Sequence, residues 1–457
     1  MTLRTINPAT GALVRSYPEM EKGEIDLVLS RASESRFRWR RVPFSERADT
    51  LRRLSRELKK GRSDYAELMA VEMGKPVKDG RAEIDKCAWV CDFYAEAGES
   101  FLTPETVSAD APTSRICYEP LGVLLAVMPW NYPFWQVFRC AVPALMAGNA
   151  VVLKHAGNVT GCALAIGELL TKAGMPDGLF GVLRVPGSRM DAVIAHPSVR
   201  AVTLTGSTEA GRKVAAAAGG HLKKTVLELG GSDPYIILED ADLDHAAETC
   251  VSSRLLNSGQ SCIAAKRFIV VKSVRKAFEE RVLERMKARR MGNPLMEDVD
   301  IGPQAREDLR STLHGQAARS IERGAKCILG GKIPDGPGYF YPPTVLSDVT
   351  PGMPVFDEET FGPVAALISA RDEKDAIGLA NATSFGLGAA VFTGDIERGE
   401  RIATRELETG NGFVNTFVRS DPRLPFGGVK DSGYGRELGQ FGIREFVNIK
   451  TVVVEKP

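Results

Sequence analysis

Residues 123–154 read VLLAVMPWNYPFWQVFRCAVPALMAGNAVVLK, and their pattern indicates a fold class. The apolar runs Val123–Met128 and Ala150–Lys154 predict two strands, and the run Phe134–Leu145 between them predicts a helix. Apolar strands that alternate with helices are typical of a parallel sheet that helices cover on both faces. The stretch therefore predicts an α/β fold.

The alternation continues on both sides of this stretch. Residues 23–100 place apolar side chains three or four positions apart, which predicts a helical N-terminal part, and residues 107–118 have a polar, β-like pattern that predicts an extended arm. Two α/β domains with Glu228 near their junction are the natural division. The remaining predicted strands are Leu179–Val185, Ala201–Thr205, Phe268–Val271 and Val364–Ile368, and the remaining predicted helices are Cys162–Lys172, Arg189–Ala195, Thr208–Ala218, Val274–Met286 and Ala376–Ala382.

Length and charge exclude some classes of function. A chain of 457 residues exceeds one hydrophobic core, so two or three domains are expected. The 59 basic and 58 acidic residues leave a net charge of +1, which argues against a nucleic-acid partner. The Arg-rich segment 31–60 is interleaved with acidic residues and is interpreted as solvated helix faces.

Targeting and metal signals are weak. The first eleven residues are polar and unlike a signal peptide, and no apolar run reaches the roughly 18 residues that span a bilayer. No membrane partner is therefore expected. Eight cysteines show no paired spacing and no CxxC motif, so reduced thiols and a cytoplasmic location are expected. Five scattered histidines lack ligand spacing, so no metal site is predicted.

One cysteine stands in an unusual context. Cys262 follows Asn257-Ser258-Gly259-Gln260-Ser261, residues that favour a turn and leave backbone N–H groups available. The other seven cysteines lie in apolar, helical or strand-like runs, where a thiol is usually a small buried hydrophobe. The context therefore indicates a nucleophile at Cys262.

A carboxylate 34 residues upstream supplies a second part of this chemistry. Glu228 lies in Leu227-Glu228-Leu229-Gly230-Gly231, directly before a glycine pair. Alone it fits a solvated loop carboxylate equally well. Together with Cys262 it predicts a thiol nucleophile with a general base.

The signals for a nucleotide cofactor are individually modest. No GxGxxG motif follows a strand, but Gly206 and Ser207 stand between a predicted strand and a predicted helix whose N-terminus could attract a phosphate. The plain alternative is that Ser207 only caps this helix. Lys154 ends a predicted strand, where ligands of parallel sheets bind, although a surface Lys there is also common.

Seven motifs in order resemble those of the NAD(P)-dependent aldehyde dehydrogenase superfamily, over essentially the whole chain. They are Pro129-Trp130-Asn131-Tyr132-Pro133-Phe134, Leu153-Lys154, Thr205-Gly206-Ser207, Leu227-Glu228-Leu229-Gly230-Gly231, Gly259-Gln260-Ser261-Cys262, Glu358-Glu359-Thr360-Phe361-Gly362-Pro363 and Pro425-Phe426-Gly427-Gly428.

The resemblance implies three structural parts. Residues 1–101 and 121–228 would form a cofactor-binding α/β domain, and residues 229–440 a catalytic α/β domain. Residues 102–120 and 441–457 would form a small β oligomerisation arm, in which the C-terminal strand Thr451–Glu455 joins the earlier segment. Assembly into a homodimer or homotetramer is therefore expected.

The resemblance also assigns catalytic roles. Cys262, as the thiolate, would attack an aldehyde carbon. The side chain of Asn131 and the backbone N–H of Cys262 would stabilise the oxyanion. After hydride transfer to the nicotinamide, Glu228 would activate the water that hydrolyses the thioester.

The cofactor site follows by the same resemblance. Lys154 would bind the adenosine ribose, and Ser207, next to Gly206, would contact the pyrophosphate. Glu359 would hold the nicotinamide ribose, with the aromatic rings of Trp130 and Phe361 beside it.

One position departs from the pattern of NAD-preferring members, many of which have a Glu three residues after the Lys. Gly157 stands there instead and removes a carboxylate that would repel a 2′-phosphate. NADP is therefore predicted to be accepted and preferred, with NAD as the alternative.

For the substrate, residues 130–139 are similar to those of short bacterial succinate-semialdehyde dehydrogenases. Arg139 could bind the distal carboxylate, with Trp135 as an apolar wall and Arg419 and Ser420 as added donors. An arginine that some relatives have six residues before the Cys is replaced by Leu256. A salt bridge at the domain interface is an equally good interpretation of Arg139.

Three alternatives to this function remain. The same chemistry could act on glutarate semialdehyde or on an aliphatic or aromatic aldehyde. An acyl transferase that releases acyl-CoA is disfavoured, because that reaction normally dispenses with the water-activating Glu. A non-catalytic protein on this scaffold is disfavoured by the intact Cys262, Glu228 and Asn131.

Overall fold

The computed structural model describes residues 2–455, and its N-terminal part is a β-hairpin followed by four helices. The spacing of apolar residues explains the helices: Ile25, Leu29 and Ala32 lie on the buried face of the first one. The elements are β1 (Thr2–Ile6), β2 (Leu13–Pro18), α1 (Lys22–Trp39), α2 (Phe44–Lys60), α3 (Arg62–Met73), α4 (Val77–Leu102), β3 (Glu105–Thr106) and β4 (Thr113–Pro120).

The next segment builds the first large sheet. Five strands pair in parallel in the order β9-β8-β5-β6-β7, and a short strand from the C-terminal part, Gly433–Tyr434, adds to β9 in the antiparallel direction. The elements are β5 (Val123–Met128), α5 (Trp135–Met146), β6 (Ala150–His155), α6 (Thr160–Lys172), β7 (Phe180–Val182), α7 (Met190–Ala195), β8 (Val199–Thr205), α8 (Thr208–Gly220) and β9 (Lys224–Glu228).

Helix α5 is buried along its whole length. All twelve of its residues are buried, although Pro143 lies inside it and cannot donate to the carbonyl of Arg139. The helix nevertheless continues to Met146, because its apolar side chains pack against the core of the first sheet on every side. A proline therefore interrupts one hydrogen bond here without ending the helix.

The second large sheet has seven strands in the order β12-β13-β14-β11-β10-β16-β17. All neighbours are parallel except the edge pair β12 and β13. The elements are β10 (Pro234–Ile237), α9 (Leu243–Leu255), β11 (Arg267–Val271), α10 (Arg275–Lys287), α11 (Glu307–Glu322), β12 (Lys326–Leu329), β13 (Thr344–Ser347), α12 (Pro354–Asp357), β14 (Val364–Ala370), α13 (Glu373–Asn381), β15 (Phe385–Gly386), β16 (Gly388–Phe392), α14 (Ile396–Arg401) and β17 (Asn411–Val414).

A three-stranded antiparallel sheet, β20-β4-β3, forms a small arm. Its long pair joins Val447–Val454 to Thr113–Pro120 over eight residues. The C-terminal elements are β18 (Val429–Lys430), β19 (Gly433–Tyr434), α15 (Gly439–Glu445) and β20 (Val447–Val454).

The predicted α/β class is confirmed by these two largely parallel sheets. The residue ranges of the two predicted domains and the arm stay a prediction. Two short elements pack outside the part to which the sequence assigned them. Strand β19, inside the range predicted for the catalytic domain, pairs with β9 of the first sheet. Helix α15, inside the predicted arm, packs on the first core through Ile443. Both pieces are too short for a hydrophobic period, so packing decides their place.

A buried ion pair ties α4 to the start of α5. The carboxylate of Glu83 pairs with Lys75, and both side chains are almost fully buried. The other carboxylate oxygen of Glu83 accepts the backbone N–H groups of Phe134 (2.8 Å) and Trp135 (2.9 Å). This carboxylate therefore satisfies the first N–H groups of α5.

We expect Glu83→Ala to lower the free energy of unfolding by about 3–5 kcal/mol, because it leaves the Lys75 charge buried without its partner. Asp85→Ala, on the same helix, is the matched control. It removes an ion pair with Arg62 in which both side chains are 40% exposed or more, so it should cost little. Urea denaturation midpoints measure both, and equal losses would contradict the role of Glu83.

Candidate active site

The loop before Cys262 has an unusual backbone. Asn257, Ser258 and Gly259 all have left-handed φ angles, of 55°, 58° and 75°. At Gly259 a Cβ atom would lie 2.3 Å from the backbone oxygen of Gly362, so only glycine fits. Such a conformation costs free energy in non-glycine residues and persists only when the surroundings hold it.

Hydrogen bonds hold this loop in place. The side-chain amide of Asn257 donates to the backbone oxygens of Asn131 (2.8 Å) and Gln260 (3.0 Å). The hydroxyl of Ser258 accepts the backbone N–H of Gly302 at 2.9 Å. The loop that positions Cys262 is therefore tied to the Asn131 segment, which follows β5.

Asn131 lies against the same loop. Its side-chain nitrogen donates to the backbone oxygen of Gln260 at 3.1 Å, and its side-chain oxygen accepts from Gln136 at 3.1 Å. These bonds fix which end of the amide carries the N–H groups, and one N–H of the amide remains available. Asn131 is thus placed as an oriented donor beside the loop that ends in Cys262.

The glycine pair after Glu228 allows two close approaches. A Cβ at Gly231 would lie 2.7 Å from the backbone oxygen of Cys262, and a Cβ at Gly230 would lie 2.5 Å from a carboxylate oxygen of Glu359. The backbone N–H of Gly231 also donates to Glu359 at 3.0 Å. Three of the predicted motifs therefore meet at one point of the structure.

Lys266 lies beneath this point and was not predicted from the sequence. Its buried ammonium donates to the backbone oxygens of Ser261 (3.0 Å) and Cys262 (2.6 Å), and it lies 3.8 Å from the carboxylate of Glu359. In the sequence, only its position four residues after Cys262 could have indicated a role for Lys266. Lys266 fixes the backbone on which the thiol stands.

The thiol of Cys262 is protonated in this environment. Burial raises its pKa to about 12, against the opposing effect of the cations Lys266 and Arg139. The resting side chain is therefore a thiol, and the thiolate must form during the reaction.

The carboxyl group of Glu228 is fully buried at the end of β9. Burial first, and then the neighbouring carboxyl of Glu437, raises the pKa of Glu228 well above its ordinary value, while Arg139 and Arg436 oppose this. Neither carboxyl oxygen of Glu228 has a hydrogen-bond partner among residues 2–455. A buried carboxyl without partners is costly, so it is a candidate for a proton-transfer group.

Arg139 shares this buried charge cluster. Its guanidinium forms an ion pair with Glu437, and it also donates to the hydroxyl of Thr205 at 3.2 Å. Both charged side chains are 4% exposed or less. The structure thus contains the salt bridge that was one of the two interpretations of Arg139. Glu437 lies in no recognisable motif and was not predicted.

A cavity of about 610 Å³ opens onto Cys262. Apolar side chains form much of its wall, among them Trp135, Phe417 and Phe426, and Arg139 lines it as well. Arg419 and Ser420 belong to the same wall, with Arg419 exposed and Ser420 buried. The predicted substrate residues are therefore brought together around one cavity.

The predicted nicotinamide side of the cofactor site joins the two sheets. The ring of Trp130, after β5, packs edge-on against the ring of Phe361, before β14, with centroids 5.7 Å apart. Glu359, two residues before Phe361, has a side chain that is 21% exposed. These groups line a half-open surface where a ribose and a flat ring could bind.

The predicted nucleotide side lies at the carboxyl ends of β6 and β8. Ser207 caps α8 by accepting the backbone N–H of Ala210 at 3.3 Å, as the plain interpretation predicted, and the thirteen-residue helix still presents its N-terminus there. Lys154 is half-buried at the end of β6, and burial alone lowers its pKa. Among residues 2–455 no carboxylate forms an ion pair with Lys154, and such a cation fits a ribose phosphate, so the residues present suit a dinucleotide.

Residue 157 leaves room beside this cation. Gly157 begins a 3₁₀ turn, and a Cβ atom there would meet only Leu3, at 3.4 Å. No carboxylate at this position would oppose a 2′-phosphate.

No helix within the described part of the chain is both long enough and apolar enough to cross a membrane.

Comparisons with known proteins agree with this geometry. The model of the aldehyde dehydrogenase family matches residues 1–452. The chain is 49% identical over 452 residues to a probable NADP(+) succinate-semialdehyde dehydrogenase of Synechocystis sp., covering 99% of each chain. It is 46% identical over 448 residues to the NAD(P)+ succinate semialdehyde dehydrogenase Sad of Escherichia coli, covering 98% of this chain and 97% of the other.

A solved structure gives the same result for the fold. The succinic semialdehyde dehydrogenase of Streptococcus pyogenes, in complex with NADP+, superposes with a TM-score of 0.97 at 35% identity, covering 99% of this chain and 100% of the other. The resemblance predicted from the seven motifs is therefore confirmed, and the chain belongs to the aldehyde dehydrogenase family.

Proposed function

We propose that this protein oxidises succinate semialdehyde to succinate, with NADP as the preferred oxidant and NAD as the alternative. The observation that carries the proposal is the cavity of about 610 Å³ that opens onto Cys262 beside an oriented amide, Asn131. The full-length similarity to relatives named succinate-semialdehyde dehydrogenases supports the choice of substrate.

In the first step, the Cys262 thiol gives its proton to water in the cavity, and the sulfur attacks the aldehyde carbon. The free N–H of the Asn131 amide and the backbone N–H of Cys262 donate to the oxygen that becomes negative. Because both donors are fixed before the reaction, they stabilise the developing charge without reorganisation. The product is a thiohemiacetal on Cys262.

A bound oxidised nicotinamide would supply the acceptor for the hydride that leaves the former aldehyde carbon. The remaining thioester is then hydrolysed. Glu228 takes a proton from the attacking water, and the carboxylic acid leaves Cys262. The raised pKa of Glu228 makes it a stronger base than an exposed carboxylate once it has lost its proton.

We assign the cofactor contacts to the residues predicted from the motifs. Lys154 would bind the adenosine ribose, and Gly157 leaves the space for a 2′-phosphate open. Gly206 and Ser207, at the N-terminus of α8, contact the pyrophosphate. Glu359 holds the nicotinamide ribose, and Trp130 and Phe361 flank the ring.

At the substrate end, Trp135 forms an apolar wall. Ser420 supplies a hydroxyl, and Arg419 adds a positive charge at the rim. Arg139 contributes to the wall with a charge that it shares with Glu437.

We also propose that the protein assembles as a homodimer or homotetramer through the arm. Strand β20 exposes Ile449, Val453 and Val454, each more than half exposed. Strands β3 and β20 are the edges of this sheet and offer backbone groups to another chain. The eight free thiols suit a reducing compartment, and the cytoplasm remains the proposed location.

Cys262→Ala should abolish NADPH formation from succinate semialdehyde, since no sulfur remains to be acylated.

Glu228→Gln should keep a first burst of NADPH, roughly one per site, and lose most of the steady rate because the thioester is no longer hydrolysed. Rapid mixing, with NADPH followed by its absorbance at about 340 nm, separates the burst from the steady rate. A panel with glutarate semialdehyde, butanal and benzaldehyde tests the substrate, and undiminished turnover in Cys262→Ala would refute the mechanism.

Gly157→Glu should lower kcat/KM for NADP by about tenfold or more while affecting NAD far less, because the new carboxylate repels the 2′-phosphate. Gly157→Gln is the matched control, since it has the same size without the charge. Steady-state rates with both cofactors measure the change. Equal losses for NADP and NAD in the Glu variant would show that residue 157 lies away from the phosphate.

Alkylation of Cys262 by iodoacetamide in the cofactor-free enzyme should be slow at neutral pH and accelerate about tenfold per pH unit from about pH 7 to 10. The reason is that a thiol whose pKa is raised to about 12 gains thiolate steadily across this range. Mass spectrometry of the Cys262 peptide separates it from the exposed Cys327. A rate that levels off below about pH 9 would contradict the raised pKa.

A further inference from the structure

Most charged side chains around the cavity already have a partner. Asp79 accepts the backbone N–H of Asn257 at 3.1 Å. The other three acids of the wall and two of its cations, Arg139 and Arg423, each form an ion pair. The pairs are Glu83 with Lys75, Asp85 with Arg62, Asp421 with Arg423, and Glu437 with Arg139. Two cations of the wall remain, Lys86 and Arg419.

These two cations differ in how they are held. Arg419 is exposed at the rim, with its guanidinium 5.5 Å from the ring centre of Phe417. The ammonium of Lys86 lies 4.4 Å from the ring centre of Trp135 and donates to the hydroxyl of Ser420 at 2.8 Å. Lys86 forms no ion pair with any carboxylate of residues 2–455. It is therefore the better-fixed cation of the two.

The helix that presents Lys86 is itself fixed. Lys86 lies three residues after Glu83 on α4, and so on the same face of that helix. Glu83 ties this turn to the backbone N–H groups of Phe134 and Trp135. The ammonium thus has its place over Trp135 before any ligand binds, and little ordering is left to be done on binding.

The hydrogen-bond capacity of the pair matches an anion. An ammonium has three N–H donors, and the bond to Ser420 uses one of them. Because the hydroxyl of Ser420 accepts from Lys86, its own hydrogen is free to donate. An N–H of Lys86 and the O–H of Ser420 are therefore both available to the two oxygens of one carboxylate.

We propose that Lys86, with the hydroxyl of Ser420, binds the terminal carboxylate of the substrate and selects aldehydes that carry one. This inference rests on the proposed function and deepens it, because it names the group that recognises the end opposite the aldehyde. Arg139, whose charge is paired with Glu437, lines the same cavity.

The charge on Lys86 is sensitive to pH in the accessible range. Burial, followed by the nearby Arg139, lowers the pKa of Lys86 to about 8, against Cys87, Asp421 and Glu83. Above that pH the free enzyme loses the positive charge. The KM for a carboxylated aldehyde should therefore rise above about pH 8, while the KM for a neutral aldehyde should not follow it.

The test uses Lys86→Met in the full-length enzyme, with succinate semialdehyde and chain-matched butanal as substrates. We expect kcat/KM for succinate semialdehyde to fall about 10- to 100-fold, mostly through KM, as for the loss of one charge-assisted hydrogen bond. The value for butanal should change less than about threefold. Lys86→Arg, which keeps the charge, should recover most of the activity and move the rise in KM to higher pH.

Lys78→Met is the matched control on the same helix, since Lys78 pairs with Asp300 and does not line the cavity. It should leave both substrates unchanged. Equal losses for succinate semialdehyde and butanal in Lys86→Met would overturn the proposal, and so would a selective loss found in Arg419→Met but absent in Lys86→Met. Wild-type enzyme that does not oxidise succinate semialdehyde at all would instead refute the proposed function.

Discussion

The hydrogen bonds between the loop 257–262 and the Asn131 segment are the constraint on which the rest of the site depends. Asn257 donates to the backbone of Asn131 at 2.8 Å, and Asn131 donates back to the oxygen of Gln260 at 3.1 Å. These bonds join a segment after β5 of one sheet to the loop before β11 of the other. They hold Asn257 and Ser258 in left-handed conformations that are unfavourable for non-glycine residues. The position of the sulfur thus depends on both sheets at once.

Burial then determines the protonation states. Glu228 is buried and Cys262 is partly buried at the inner end of the cavity, and burial is the largest cause of the raised pKa of each. In such an environment the neutral forms dominate at rest, and each charge that forms interacts strongly with fixed neighbours. Lys266 below the loop and Arg139 beside the carboxyls oppose the rise at Cys262 without removing it. The site is therefore poised to create charge during the reaction and not before.

The sequence predicted four of the five parallel strands of the first sheet, β5 to β8, and the helices that follow them, because apolar runs and helical patterns alternate clearly there. Strand β9, which ends at Glu228, was not predicted, because only Val226 and Leu227 of its five residues are apolar. In the second sheet β11 and β14 were predicted, whereas the short strands β10, β13, β16 and β17 were not. Cys262, which lines the cavity, and Glu228 and Asn131 were predicted from motifs. Glu437 and Lys86 were not predicted. Glu437 is brought in from 209 residues after Glu228, and the sequence around Lys86 does not distinguish it from other lysines on helices.

Two ionisable groups lack a full set of partners among residues 2–455. Both carboxyl oxygens of Glu228 are buried without a hydrogen bond. Lys86 lies over an aromatic ring and donates to a hydroxyl, but it forms no ion pair. Each arrangement costs stability, because a buried polar group gains most when fully paired. Arg139 and Glu437 show the contrast, since their two charges are paired with each other. Most charged side chains around the cavity form ion pairs. The few that do not are better explained by ligand binding than by folding.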